Sequence, residues 1–373
     1  MKSSFQNHFG IEPTVIAKAP GRLEILGNHT DYNEGTVLSV AVDRAMTVAA
    51  AKVEGKTCEL YDLVINSTKT FDLDKLDNPV KGDWSNYVKG VVQEFQKRGY
   101  TVPAFKATLK GTVPLSAGMS SSAALEMAFV LVIEKLAGLS LDWKNRALIG
   151  QAAENNYVGA KTGLLDQVSS LMGKENQLVY SDFRSLQVHN VPIPAGTAFV
   201  VANCMVKHNL TNEYNERREA CELAAKILGV KALRDVTPEQ LKAAKDKLPE
   251  VAYLRALHVV GEIDRVEKGS QALAAGDLDT FGRLMFESQY SSTNYFDNSI
   301  KELDIMVELA KTTPGHIGAR LSGGGFGGIT VHLVKADQAE QYCKTLADLY
   351  QKKTGLKTEA MICTAAQGAH YLA

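Results

Sequence analysis

The chain has 373 residues, 45% of them apolar and 22% charged, with a formal net charge of −1. That length accommodates two domains, and that composition leaves no room for extensive disorder. Near-neutral charge without a lysine- or arginine-rich run removes the footprint of a nucleic-acid or membrane-surface binder, and no apolar run approaches the ~18 residues of a membrane span. The five cysteines are scattered without zinc or redox spacing, so reduced thiols in a cytoplasm are expected. Met1 to His8 holds no apolar core of a secretory leader, and none is expected.

In chain order, residues 14–18 read as a short strand that leads into a Pro-Gly turn and a polar loop, 19–35. Strand character resumes over 36–53, and 57–73 reads as two further short strands. Trp84 to Arg98 has helical spacing, with Trp84, Tyr87, Val88, Val91 and Phe95 on one face. Residues 104–110 predict a strand that feeds the segment Val113 to Glu126. There a glycine- and serine-rich loop runs into a helix whose residues 123–133 are almost all apolar. Gly138 is a stop signal, Trp143 to Ala160 a second helix, and Leu164 to Leu171 a short helix with Asp166 near its start. Residues 176–190 return to strands, and the Pro-Ile-Pro-Ala-Gly break after Val191 suggests a boundary, giving domains 1–192 and 193–373. The second half opens with a strand at 198–204 and a helix over about 212–228. Thr237 to Gln240 is a capping box with proline at the first helical position. Helices continue to about Lys311, and the close is a strand 329–334, a helix over about 336–353 and a strand 358–364.

Three stretches carry chemistry. The loop before the buried helix has small side chains and the unpaired N–H groups of a helix N-terminus, which suit a phosphate; an ordinary serine-capped helix would look the same. Residues 27–35 crowd His29 and Asp31 near Arg22 on a loop between strands, where ligand sites are common. Gly323, Gly325 and Gly328 formally fit a dinucleotide motif, but they run into a strand rather than a helix, so that reading fails. Five glycines in Gly323 to Gly328 are better read as a backbone that lets another segment approach closely, backing the serine loop across a domain interface.

Together these stretches resemble the three signature motifs of the GHMP kinases, and most closely those of the galactokinases. The residues concerned are Gly21 to Tyr32, Pro114 to Ala123 and Ser322 to Gly328, with further agreement in Trp84 to Gly90, in Gly163 to Gln167 and in Glu213 to Arg218. The resemblance implies an α+β, two-domain GHMP kinase fold. Its N-terminal domain has a mixed sheet, its C-terminal domain is a ferredoxin-like α/β sandwich, and the active site lies in the cleft between them. It implies ATP-dependent phosphorylation of the C1 hydroxyl of galactose, with ATP and Mg²⁺. Asp166 would take or orient the proton of the anomeric hydroxyl, and Arg22 would hold Asp166 ionised. Pro114, Leu115, Ser116, Ala117, Gly118, Met119, Ser120, Ser121 and Ser122 would wrap the ATP phosphates. Ser122 and Glu154 would hold the metal. Glu24, Asn28, His29, Asp31, Gly163 and Tyr214 would bind the sugar.

Galactokinases usually carry Asn where this chain has Glu24 and Glu where it has Asn28. The exchange leaves the exact sugar open, because a site built for a hydroxyl discriminates strongly when its partner is mispaired. Glu24 could restore the carboxylate from a neighbouring place, yet residues four apart on a turning loop need not converge. The rivals are therefore a C1 kinase for N-acetylgalactosamine, a 6-deoxyhexose or a pentose, and a non-catalytic galactose and ATP sensor. Against the sensor, the serine loop, Arg22, Glu154 and Asp166 are all intact. Trp84 and Tyr87 are candidates for the adenine site and equally for the core. The expected partner is a small sugar, with no nucleic acid or membrane, for a cytoplasmic monomer or weak homo-oligomer.

Overall fold

The structure is a computed structural model that describes residues 1–76, 79–114, 118–206 and 211–373, Thr211 and Asn212 by backbone alone. A helix the sequence did not announce, α1 (Lys2–Phe9), opens the chain and buries Phe5. Strand β1 (Val15–Leu26) then runs well past the expected residue 18. It pairs antiparallel with β2 (Thr36–Lys52), with register shifts between Pro20 and Arg22 and between Glu24 and Leu26. The segment read as a loop is thus half strand. Its second half is buried throughout, because both faces are covered, and a strand without polar alternation loses the period-two signature. β3 (Thr57–Asp62), β4 (Ser67–Asp72), α2 (Ser85–Lys97) and β5 (Phe105–Gly111) follow.

Helix α3 (Ser121–Leu136) is apolar all round and packs on β1 and β2 as the central helix of the first half. α4 (Trp143–Ala152) gives way to a π-helical turn over Ala153–Val158, then α5 (Leu165–Met172) and the hairpin β6 (Gln177–Asp182) and β7 (Gln187–Pro192). The second half begins with β8 (Thr197–Asn203) and α6 (Thr211–Leu228). α7 (Pro238–Ala243) has the expected capping box from Thr237 and Gln240. The long α8 (Glu250–Ala275), α9 (Leu278–Ser291) and α10 (Lys301–Thr312) come next. β9 (His316–Ser322), β10 (Ile329–Lys335), α11 (Ala339–Thr354), β11 (Ala360–Cys363) and a final short β12 (His370–Tyr371) complete the chain.

Among the described residues the strands form an eight-stranded sheet, whose path β12-β1-β2-β5-β3-β4 is extended by β6 and β7 beside β2, and a four-stranded sheet ordered β11-β8-β10-β9. β3 and β5 are parallel within the otherwise antiparallel larger sheet. This is the mixed-sheet half and the α/β half that the resemblance implies. Among the connections that tie the halves, two are made by whole elements. α8 leans on β1, β2 and β7 of the first sheet, and the chain end returns from the second sheet to pair β12 with β1. No helix among the described residues is long and apolar enough to cross a membrane.

Candidate active site

The two register shifts in β1 bracket Arg22 and Glu24. Residues two apart on a strand share a face, and both side chains line one cavity of about 560 Å³. Bulges commonly re-aim side chains beside a site. Arg22 is nearly buried. It donates from Nε to Asp166 Oδ1 at 2.7 Å and from Nη1 to the Gly118 carbonyl at 2.7 Å, and its Nη2 also lies 2.7 Å from Oδ1. Ser120 donates its hydroxyl to Asp166 Oδ2. Asp166 sits in the first turn of α5 with a quarter of its side chain exposed, towards the cavity.

Ser120 has a left-handed backbone (φ 53) and makes no side-chain cap to α3. Ser120, expected to wrap phosphate, lines the cavity and also completes the environment of Asp166, a partnership that spacing alone does not reveal. Ser121 and Ser122 open α3, where the first N–H groups lack intrahelical partners. Gly118, Met119, Ser120, Ser121 and Ser122 line the cavity. Pro114 is half-buried and does not line it, and Leu115, Ser116 and Ala117 lie outside the described residues. The glycine block faces this loop. A Cβ on Gly118 would meet the Ser322 carbonyl at 3.4 Å, and one on Gly323 would meet the Gly118 carbonyl at 3.4 Å.

Glu154 projects from the π-helical turn, a geometry frequent at functional sites. It accepts from Thr162 Oγ1 at 2.9 Å and from Gln167 Nε2 at 3.3 Å, and shares a hydrogen bond with Ser122. Burial and the Asp166 charge push its carboxyl up to about 7. Gln167 Nε2 also reaches the fully buried Glu126 at 2.9 Å. Sequence reasoning gave neither residue a role of its own.

Glu24, His29, Asp31, Gly163 and Tyr214 also line the cavity. Glu24 Oε1 accepts from Asn28 Nδ2 at 2.8 Å and from the buried Arg320 at 2.9 Å. Glu24 and Asn28 do converge. Only Glu24 reaches the cavity, while Asn28 is sealed behind it between the Gly323 carbonyl and Asn298. Burial pushes the Glu24 carboxyl up, against the charges of Arg320 and Arg22. His29 is held neutral, its pKa lowered to about 3 by burial. Its Nε2 lies 3.2 Å from the Gly324 carbonyl and must donate to it, which leaves Nδ1 to accept from Tyr32 at 2.9 Å. The imidazole is thus a strut between the sugar motif and the glycine block. Asp31 is pushed up to about 6 by burial and by the charges of Asp166 and Glu24. Gly163 lies so close that a Cβ there would fall 1.8 Å from Asp31 Oδ2. Tyr214 stacks obliquely on His29, ring centroids 4.9 Å apart.

The far end of the cavity is apolar. Trp84 and Tyr87 line it beside Met46, Leu109, Val64 and Ile65. The last two are 55% and 52% exposed at the β3–β4 turn, and sequence reading gave neither a role. Trp84 Nε1 is buried without a hydrogen-bond partner among the described residues.

Three sequence families match: the "Galactokinase galactose-binding signature" over residues 3–52, the "GHMP kinases N terminal domain" over 86–174 and "GHMP kinases C terminal" over 270–351. A galactokinase of Glaesserella parasuis is 42% identical over 98% of this chain and 97% of its own length. One of Roseiflexus is 38% identical over 99% and 95%. Among solved structures, Lactococcus lactis galactokinase complexed with galactose superposes with a TM-score of 0.95 at 30% identity, covering 100% of this chain and 98% of that one. A mevalonate kinase, at 18% identity and TM-score 0.65, shares the fold. With motifs, geometry and full-length relatives in agreement, the chain belongs to the galactokinase family of the GHMP kinases.

Proposed function

We propose that the chain transfers the γ-phosphoryl group of ATP to the C1 hydroxyl of galactose, giving galactose 1-phosphate and ADP. The observation that carries this is Asp166, clamped by Arg22 and Ser120, on a cavity also lined by a helix N-terminus and by the carboxylates Glu24 and Asp31. In this reading the C1 hydroxyl gives its proton to Asp166, its oxygen bonds to the γ-phosphorus, and the bond to the β–γ bridging oxygen breaks. Arg22 pairs with Asp166 and offsets charge on the transferred group. Phosphoryl transfer needs such positioning and charge neutralisation more than covalent help. The phosphates lie against residues 118–122, and the base occupies the apolar end between Trp84 and Tyr87. We take the two domains as 1–192 and 193–373.

The Ser122 hydroxyl and Glu154 carboxylate, bonded to each other on the cavity wall, are hard oxygen donors that fit Mg²⁺. Magnesium keeps phosphate oxygens and waters and takes few protein ligands. Among the described residues no cluster of three or more His, Cys, Asp and Glu gathers that could hold a metal, which suits a cation brought with the nucleotide. When bound, it would neutralise charge on the β- and γ-phosphates.

The exchanged Glu24 and Asn28 support galactose rather than a different sugar. The carboxylate remains in the cavity, held by Arg320 and Asn28. Tyr214, Asp31 and Gly163 complete the sugar wall. The five free cysteines are in keeping with a cytoplasmic enzyme.

The test is ADP release from Mg-ATP across galactose, 2-deoxygalactose, N-acetylgalactosamine, glucose, mannose, fucose and arabinose. Galactose is expected to be preferred, and preference for another sugar overturns that choice. Asp166→Ala should cost at least ~100-fold in kcat; activity within about tenfold of the parent would remove Asp166 from the chemistry.

A further inference from the structure

The turn that follows Glu24 and precedes His29 and Asp31 is held by its own Thr30, whose hydroxyl donates to the Gly27 carbonyl at 2.9 Å, and also from outside. Gly27 has φ +99, and a Cβ there would lie 2.5 Å from the Thr36 carbonyl. His29 has φ 59. Between them the N–H groups of Gly27 and Asn28 point the same way, an arrangement that forms an anion-binding concavity. The anion is the protein's own. Glu262, fully buried on α8 of the second half, accepts the Gly27 N–H at 3.0 Å and the Asn28 N–H at 2.9 Å on one oxygen, Oε2. Ser288 donates to the same oxygen at 3.0 Å, and Arg265 Nε donates to Oε1 at 2.5 Å. One helical turn earlier, His258 lies 3.1 Å from the Asn28 carbonyl through Nε2 and 2.9 Å from Ser291 through Nδ1.

None of these α8 groups lines the cavity. We propose that Glu262 is a positioning residue for sugar recognition: from outside the cavity, its carboxylate fixes the Gly27–Asn28 turn, and with it the places of Glu24, His29 and Asp31. The path is short. Asn28, held through its N–H by Glu262 and its carbonyl by His258, grips Glu24 and the Gly323 carbonyl with its side chain. The phosphate side has a different footing, since Arg22, Gly118 and Asp166 bond to one another and not to this turn. Burial pushes the Glu262 carboxyl up, but the charges of Arg265, His258 and Arg320 and the Asn28 N–H outweigh it and hold it well below the usual carboxylate range.

The proposal rests on the sugar-kinase reading of the cavity, and the experiment separates the two. Calorimetric titration of the parent with galactose and, separately, with a non-hydrolysable ATP analogue tests that reading first; no heat with galactose and no turnover of it would end the reading itself. In Glu262→Gln, galactose Kd and KM are expected to rise at least ~tenfold while nucleotide Kd stays within about twofold. Loss of both affinities alike, or of neither, overturns the proposal, because a merely structural carboxylate has no reason to spare the nucleotide. If Glu262→Gln fails to fold, Arg265→Met decides by the same split. It leaves Glu262 in place without its guanidinium partner, and Arg265→Lys should restore the parent's galactose Kd. A galactose Kd in Arg265→Met equal to the parent's overturns the proposal as well.

Discussion

Asp31 is a carboxylate kept where it is least comfortable. Its pKa rises from 3.8 to about 6 through burial first and then through Asp166 and Glu24. A carboxyl whose folded pKa is raised costs stability once it must ionise. The cost is absent below the unfolded pKa and fully present above the folded one, and here it amounts to about 3 kcal/mol at neutral pH. Ligand-free Asp31→Asn should therefore be more stable than the parent near about pH 7.5, by up to about 3 kcal/mol in urea denaturation. The gap should close as pH falls through about 6 towards about 4. In the proposed site Asp31 accepts from the sugar, so the same variant should lose galactose affinity. Equal stability at both ends of that range would show that Asp31 is not strained by its surroundings. A second residue-scale prediction concerns the exchanged pair. Glu24→Asn alone leaves the buried Arg320 without its carboxylate, and Asn28→Glu alone sets two carboxylates beside one guanidinium. Removing one partner of a buried pair costs about 3–5 kcal/mol, so each single change should lose at least ~100-fold in kcat/KM. The double exchange restores one carboxylate, one amide and one hydrogen bond between them. Recovery to within ~tenfold of the parent is expected, and a double variant no better than either single would sink the pairing.

At the level of elements, the short helix α5 is set by how closely Asp31 approaches its leading turn. Gly163→Ala places a methyl 1.8 Å from Asp31 Oδ2 in the present geometry, so either the turn or Asp31 must move. Galactose KM should rise at least ~tenfold with nucleotide KM little changed. Gly159→Ala is the control. It has φ +90 but nothing within 4 Å of its Cβ position, so it should lose about 1 kcal/mol of stability through backbone strain and keep both KM values. A parent-like galactose KM in Gly163→Ala would detach Asp31 from the sugar. Elements were legible in the sequence where one face is wet. The stripe of α2, the cap of α7 and the hairpin of β3 and β4 all alternate between core and solvent. β1 beyond residue 18 was not legible, because it is buried on both sides and its Pro-Gly reads as a turn. Arg22 and Glu24 were chosen from their motif, but that they share a strand face between two bulges is a register fact that no local pattern encodes. The partnership of Ser120 with Asp166 is equally invisible, since it joins residues 46 apart through a left-handed backbone.

Across the whole molecule, the sequence divides more cleanly than the structure does. A proline-rich break after Val191 separates the two sheets, yet the buried contacts cross that line repeatedly. Arg320 on β9 pairs with Glu24 on β1, the Glu24 N–H donates to Ser322 Oγ at 2.9 Å, and Asn28 grips the Gly323 carbonyl. Arg234 reaches Asp182 at 2.8 Å with two nitrogens. At the chain end Tyr371 pairs with Ala17 on β1 and bonds the Leu131 carbonyl at 3.0 Å, after β11 has already joined the second sheet. Opening the halves would separate the Arg320–Glu24 and Arg234–Asp182 pairs. Thermal unfolding of the ligand-free protein should therefore be a single transition in calorimetry, with calorimetric and van't Hoff enthalpies in agreement. Arg320→Met should lower that one transition by roughly 4–6 °C, from about 3–5 kcal/mol for the orphaned Glu24 and the roughly 1.3 °C that each kcal/mol is worth in a chain of this size, and it should do so without splitting it. Two resolved transitions in the parent, or a shift confined to one of two in the variant, would mean that the halves fold independently and that the cleft between them is held by the substrates rather than by the chain.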